Sequence, residues 1–247
     1  MAKGKIRIGI GGWTYAPWRG VFYPDKLPQA KECEYATRAM TAIEINATFY
    51  GRQKQKSWET WEKVAPDGFQ FAIKGSRYCV SRSKLAESAN SIANFFGQGF
   101  QVLGPKLGPI LWQFARFKRF DRDDIAAFID LLPVELEGIT LRHAIEPRHE
   151  SFRDEAFFDL CRARNIAVVY EDSDEYPLIE ADTADFHYAR LQRMNEDIVT
   201  GYDDAALDGF ATKARDWQAK GDAFVFMING AKVRAPAAAL ALQERLK

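Results

Sequence analysis

Eight short apolar runs, separated by longer amphipathic stretches within 247 residues, predict a single (β/α)8 TIM barrel of the α/β class. The length matches the roughly 250 residues typical of that architecture. No Gly/Ser-rich or Pro-rich linker interrupts the chain, so residues 1–247 read as one domain. Seven of the eight runs carry a polar or charged residue within their last two positions, which a core strand has no reason to do unless its end lines a site. In such barrels the site lies at the carboxyl ends of the strands.

The first run, Ile6–Gly12, follows Met-Ala-Lys-Gly-Lys directly, and the second is Ala42–Phe49. After it, Ser57, Trp58, Trp61 and Val64-Ala65 keep helical spacing until Pro66-Asp67-Gly68 stops the helix. The third run, Phe69–Gly75, and the fourth, Leu107–Phe114, come next, and a helix over Arg122–Leu132 is closed by Pro133. The fifth run, Arg142–His149, leads to a helix over Glu155–Arg164 whose apolar face is Phe157, Phe158, Leu160 and Cys161. Behind the sixth run, Ile166–Asp172, the connection Ser173–Ala184 holds Pro177 and many acidic residues, so its helix is short or missing. The seventh run, Asp185–Gln192, and the eighth, Ala223–Gly230, are followed by helices over Asp203–Lys220 and Ala237–Leu246.

Side chains alternate along a strand, so parity separates the barrel interior from the helix layer. Ile43, Ile45 and Ala47 face the helices, which leaves Glu44, Asn46 and Thr48 pointing inward. In the third run Phe69, Phe71 and Ile73 face out and Lys74 faces in. The fifth puts Ala144, Glu146 and Arg148 inside, and the seventh Phe186, Tyr188 and Arg190; the fourth offers Gln113 and the eighth Asn229. Two carboxylates, a lysine, two arginines and several amides therefore converge near the strand ends. Burying any of these charges unpaired costs several kcal/mol, so they pair with one another, as a stabilising ion-pair ring would, or meet a ligand.

Composition narrows the function classes. Lys plus Arg and Asp plus Glu balance at 34 each, so the broad positive field of a nucleic-acid binder is absent and no nucleic acid is expected as partner. Cys33, Cys79 and Cys161 are odd in number and widely spaced, which indicates free thiols in a reducing compartment rather than a disulfide framework or zinc knuckle. No apolar signal core and no run of about 18 apolar residues occurs, so the expectation is a cytoplasmic protein with no membrane partner. Gly9, Gly11 and Gly12 are followed by Trp-Thr-Tyr, which is no phosphate-loop fingerprint. Oligomeric state is left open.

The catalytic candidates are Glu44, Lys74, Glu146 and His149. Two glutamates on opposite sides of a sugar suit acid/base work, and Lys74 suits polarising a carbonyl, forming a Schiff base, binding an anion or pairing with a glutamate. Arg148 and Arg190 favour planar bidentate partners such as carboxylate or phosphate. Trp13, Asn46, Tyr50, Gln113, Arg148, Arg190 and Asn229 are the substrate-binding candidates; Trp13 and Tyr50, with Tyr15, Trp18 and Phe49, supply a stacking wall for a sugar or base or simply pack in the core. His143 and His187 fall on the parity opposite Glu146 and Arg190, toward the helices. No cofactor is predicted. A divalent metal on His149, Glu44, Glu146, Glu171 and Asp172 is the alternative, opposed by the adjacent cations.

The motifs Ile8-Gly9-Ile10-Gly11-Gly12-Trp13-Thr14-Tyr15, Phe22-Tyr23-Pro24, Glu44-Ile45-Asn46-Ala47-Thr48-Phe49-Tyr50, Leu107-Gly108-Pro109-Ile110-Leu111-Trp112-Gln113, Glu146-Pro147-Arg148-His149 and Arg190-Leu191 span nearly the whole chain. In that order they resemble the YecE-like family, domain of unknown function 72, whose members are TIM barrels described as sugar-isomerase-related. The resemblance implies the fold and the strand-end site and carries no established reaction. The rim departs from the family pattern: Asn229-Gly230 replaces paired asparagines, Ala115-Arg116 stands where prolines are usual, and Arg193 stands in place of a glycine. The expected function is metal-independent acid/base chemistry, of isomerase, lyase or hydrolase type, on a small anionic sugar-like metabolite. The alternatives are a noncatalytic small-molecule binding or regulatory barrel and a nucleic-acid-processing enzyme resembling apurinic endonucleases.

Overall fold

The apolar runs form parallel strands wound into a barrel in the computed structural model, which describes residues 3–247. In chain order the elements are β1 (Ile6–Gly11), α1 (Glu32–Ala39), β2 (Ala42–Ile45), α2 (Ala47–Tyr50), α3 (Gln55–Val64), β3 (Gln70–Lys74), α4 (Arg77–Val80), α5 (Ala89–Phe96) and β4 (Leu107–Gln113). They continue with α6 (Arg122–Asp130), β5 (Glu135–Leu136), β6 (Ile139–Thr140), β7 (His143–Glu146), α7 (Glu155–Ala163), β8 (Ile166–Val168), β9 (Tyr170–Asp172), β10 (Phe186–Leu191), α8 (Asp204–Lys220), β11 (Asp222–Met227) and α9 (Ala235–Arg245). The sheet runs β8-β7-β4-β3-β2-β1-β11-β10-β9, and β5-β6 is a separate antiparallel hairpin. β8 and β9 are halves of one barrel strand interrupted at Val169, whose N–H donates to the Ile145 carbonyl at 2.9 Å. The first half pairs with β7 and the second with β10, so eight strand positions ring the barrel.

Local chemistry explains where the helices begin. Asp121, Asp154 and Asp203 have extended backbones, and their side chains accept from the first free N–H groups of α6, α7 and α8. No helix forms between β9 and β10, where Pro177 and the acidic stretch lie. Four helices go beyond the sequence expectation, α1 and α5 and the single turns α2 and α4. The second run also ends sooner than expected. The strand stops at Ile45, and Thr48 does not point into the barrel; from α2 its hydroxyl donates to the Lys74 carbonyl at 2.6 Å and the Ile45 carbonyl at 3.1 Å, tying the ends of β2 and β3 together.

Alternation produces two apolar regions. Ile43, Ile45, Phe69, Phe71, Ile73 and Trp112 pack outward beneath the helices. Ala42, Ala72, Leu111, Ala144, Tyr188, Phe224 and Phe226 fill the barrel itself. Close approach across β1 and β2 needs Gly9, because a Cβ there would lie 1.9 Å from the Ala42 carbonyl oxygen. His143 accepts from Trp112 Nε1 at 3.1 Å and His187 stacks on Trp217, both on the helix side. The three cysteines are buried and free. Among the described residues no helix is long and apolar enough to cross a membrane.

The amino end of the barrel is closed by Asp222, which accepts from Arg7 Nη1 at 3.0 Å and Arg142 Nη1 at 3.1 Å while both guanidiniums lie over the Phe224 ring. Asp222→Ala leaves two largely buried cations without their carboxylate and is expected to lower unfolding stability by about 2 kcal/mol, read by urea denaturation. Burial opposes ionisation of Asp222, but the Lys5 N–H and the two arginines outweigh it and hold its carboxyl below the ordinary aspartate value. Its stabilisation is therefore complete above the unfolded value of about 3.9 and disappears as pH falls through the folded one.

Candidate functional site

At the carboxyl end the interior changes from apolar to charged. β10 points Arg190 inward, where it is fully buried, and its guanidinium serves two strands at once. Nε and Nη2 donate to Glu44 at 3.0 and 3.1 Å, and Nη1 donates to Glu146 Oε2 at 2.5 Å. Glu44, on β2, also accepts from the Tyr188 hydroxyl at 2.7 Å. Glu146, ending β7, takes Gln113 Nε2 at 2.8 Å and Arg148 Nε at 2.6 Å on its other oxygen. The two glutamates are 0% exposed, and every oxygen they carry is met by a donor.

Glu171, on β9, completes the cluster differently. It accepts from Gln192 Nε2 and, at 3.4 Å, from Arg148 Nη2, while its Oε2 is buried without a partner. Burial and then the charge of Glu146 push its carboxyl well above the ordinary glutamate value. Burial works against ionisation of Glu146 as well, but the guanidiniums of Arg190 and Arg148 outweigh it and hold that carboxyl down at about 2. The two carboxyls are thus pushed in opposite directions, the one gripped by both arginines favouring its charged form.

Above this layer a cavity of about 330 Å³ opens, walled by Asn46, Phe49, Tyr50, Lys74, Gln113, Arg148, Arg190, Ile228, Asn229 and Lys232 among others. Lys74 is 8% exposed and its amine makes no hydrogen bond or ion pair among the described residues; its Nζ lies 4.4 Å from the centre of the Phe49 ring. The expected pairing of Lys74 with a glutamate does not occur, because Arg190 already occupies both glutamates. Burial and then the Arg190 charge lower the Lys74 amine to about 8, against the pull of Glu44 and Glu146. Lys74, Arg148, Arg190 and Lys232 face or border the cavity and no carboxylate does, so its wall is cationic.

Of the sequence candidates, Asn46, Tyr50, Lys74, Gln113, Arg148, Arg190 and Asn229 share this wall. Glu44 and Glu146 lie under its floor, and Trp13 lines an adjoining cavity. His149 is elsewhere: its Nδ1 accepts from the Ser151 N–H at 3.0 Å, capping a short helical turn, and its Nε2 is 3.4 Å from Arg119. Lys232 and Tyr176, whose ring lies 3.9 Å from the Arg148 guanidinium carbon, are additional participants. Both sit in loops beyond the strands, where alternation assigns no direction; the only signal was that such loops form the mouth. Among the described residues no three His, Cys, Asp or Glu side chains converge to hold a metal ion. The oxygens of Glu44 and Glu146 are committed to arginine, tyrosine and glutamine donors.

An unpaired buried cation disfavours the fold. The unfolded chain binds more protons than the folded one between about pH 8 and 10.5, so stability rises with pH across that window. Lys74→Met is expected to stabilise the free protein by about 1–3 kcal/mol at pH 7, an advantage that shrinks toward pH 10.5. Urea unfolding at both pH values reads this, and a destabilised variant at pH 7 contradicts it.

Residues 7–247 match the family described as Protein of unknown function DUF72. UPF0759 protein YunF of Bacillus subtilis is 25% identical over 126 residues, 49% of this chain and 44% of that protein, so the match spans less than half of that relative. The crystal structure of a DUF72 family protein, TM1631, from Thermotoga maritima superposes with a TM-score of 0.80 at 21% identity, covering 98% of this chain and 99% of that one. The DUF72 family protein EF0366 from Enterococcus faecalis gives 0.77 at 16% identity, covering 98% and 95%. Motif order, barrel and family match together establish that the chain belongs to the DUF72 family.

Proposed function

We propose that the strand-end cavity binds a small anionic, sugar-like metabolite and performs metal-independent acid/base chemistry on it, of isomerase, lyase or hydrolase type. The observation that carries this reading is Lys74: a side chain more than nine-tenths buried, unpartnered and facing a cavity walled by donors. A fold keeps such a cation only against a free-energy cost, which a bound anion or developing oxyanion offsets. Arg148, with one Nη free of protein acceptors, binds the anionic group; Asn46, Gln113 and Asn229 orient hydroxyls.

Lys74 is the group placed to move a proton. With its amine at about 8, both protonation states are populated near neutrality: the ammonium stabilises charge on a ligand oxygen, and the amine accepts a proton. Glu44 and Glu146 act through Arg190 as positioning residues, since neither reaches the cavity wall. Their saturation by donors also favours a second reading, a noncatalytic binding barrel, which retains its ligand without converting it.

Native mass spectrometry with elemental analysis on freshly purified protein tests the binding. Wild type is expected to carry a small anion that Arg148→Ala has lost; a stoichiometric divalent metal, or an anion held equally by the variant, refutes the reading. On a substrate found this way, Lys74→Met is expected to lower kcat by about 10²–10⁴-fold. Undiminished turnover in that variant removes Lys74 from the chemistry, and ligand retention with no turnover in wild type selects the binding barrel.

A further inference from the structure

The cavity has a neighbour. A second space of about 260 Å³ adjoins it and shares Gly11, Asn46, Tyr50 and Lys232 with it. Its remaining wall is different in kind, formed by Gly12, Trp13, Thr14, Ile45 and Ala47, with no charged side chain other than Lys232. Trp13 is held edge-on by Trp61 at 5.0 Å between ring centres, so its orientation is set by packing. Tyr50 is 68% exposed and stands on the boundary between the two spaces.

Lys232 occupies the junction. Its backbone carbonyl accepts from Trp18 Nε1 at 2.9 Å, which pins the loop, and its Nζ lies 4.8 Å from the Tyr15 ring centre. Like Lys74 it has no carboxylate partner, and burial lowers its amine below the ordinary lysine value. Lys74 in the inner space and Lys232 at its junction with the outer one, neither paired with a carboxylate among the described residues, thus mark two adjoining spaces, the inner polar and the outer largely apolar and aromatic.

We propose that the ligand is bipartite: an anionic group held in the inner space by Lys74 and Arg148, joined to a flat, weakly polar ring that lies in the outer space against Trp13 and Tyr50, with Lys232 binding the acceptor atoms that link them. The substrate class is therefore a ring-bearing phosphate or carboxylate rather than a bare small anion. This rests on the anion-binding reading above and specifies its second half. An aromatic wall gives a flat ring contact area and stacking, and the lysine fixes the register of the ring relative to the anion.

Two probes separate the halves, inorganic phosphate and phenyl phosphate, titrated calorimetrically into the full chain. Wild type is expected to bind phenyl phosphate at least tenfold more tightly than phosphate. Tyr50→Ala, at an exposed position that does not support the core, brings that ratio to about one, and Lys232→Met, which keeps the aliphatic stem, lowers it several-fold. Lys74→Met weakens both probes together. Equal affinity of wild type for the two probes, or a ratio unchanged in Tyr50→Ala and Lys232→Met, overturns the bipartite ligand and leaves the anion site standing. Failure of wild type to bind either probe overturns both.

Discussion

The buried guanidinium of Arg190 is the interaction around which the upper half of the barrel is organised. It joins β2 to β7 from β10, grips two glutamates that are otherwise sealed from water, and does so with three hydrogen bonds in a region of low polarisability. Removing a charge from water costs several kcal/mol per ion, and only short, well-directed partners offset that. Tyr188, Gln113 and Arg148 supply the rest, so no oxygen of Glu44 or Glu146 lacks a donor. Because Arg190 takes both glutamates, Lys74 has none, and the positive character of the cavity follows from that single allocation.

The barrel is charged at both ends around an apolar middle. At the amino end, Arg7 and Arg142 share Asp222 and rest on the Phe224 ring, closing the interior. At the carboxyl end the charges are layered: a satisfied lattice below, and above it Lys74 and Lys232, which pair with no carboxylate among the described residues. The same device, a guanidinium against an aromatic ring, recurs where Arg148 meets Tyr176. Structural charges are saturated, and the unsaturated ones face the opening, which is the distribution a ligand site requires.

Much of this was legible in the residues. Alternation placed Glu44, Lys74, Gln113, Glu146, Arg148 and Arg190 on the inner side and His143 and His187 on the outer. Helical spacing of apolar residues marked α3 and α7, and Pro177 marked a connection without a helix. α5 carried a readable signal, Ile92, Phe95 and Phe96 at helical spacing, whereas α1 buries Glu32, Cys33, Ala36 and Thr37, a face too polar to stand out. Thr48 followed the alternation on paper, yet the chain leaves the strand at Ile45 and turns into a helix.

The amino-acid sequence by itself determined the eight-strand architecture, the family and the inner or outer side of each strand residue, because a period of two and the punctuation by proline, aspartate and glycine are local properties of the chain. Only the tertiary structure decided which charge meets which. Pairing depends on angular position around the barrel, which brings Arg190 to Glu44 across 146 positions of sequence, and on loops whose directions no periodicity encodes. For that reason the solitary state of Lys74, the burial of Glu171 beside Glu146, the capping role of His149 and the place of Lys232 emerge only when the ring of strands is closed.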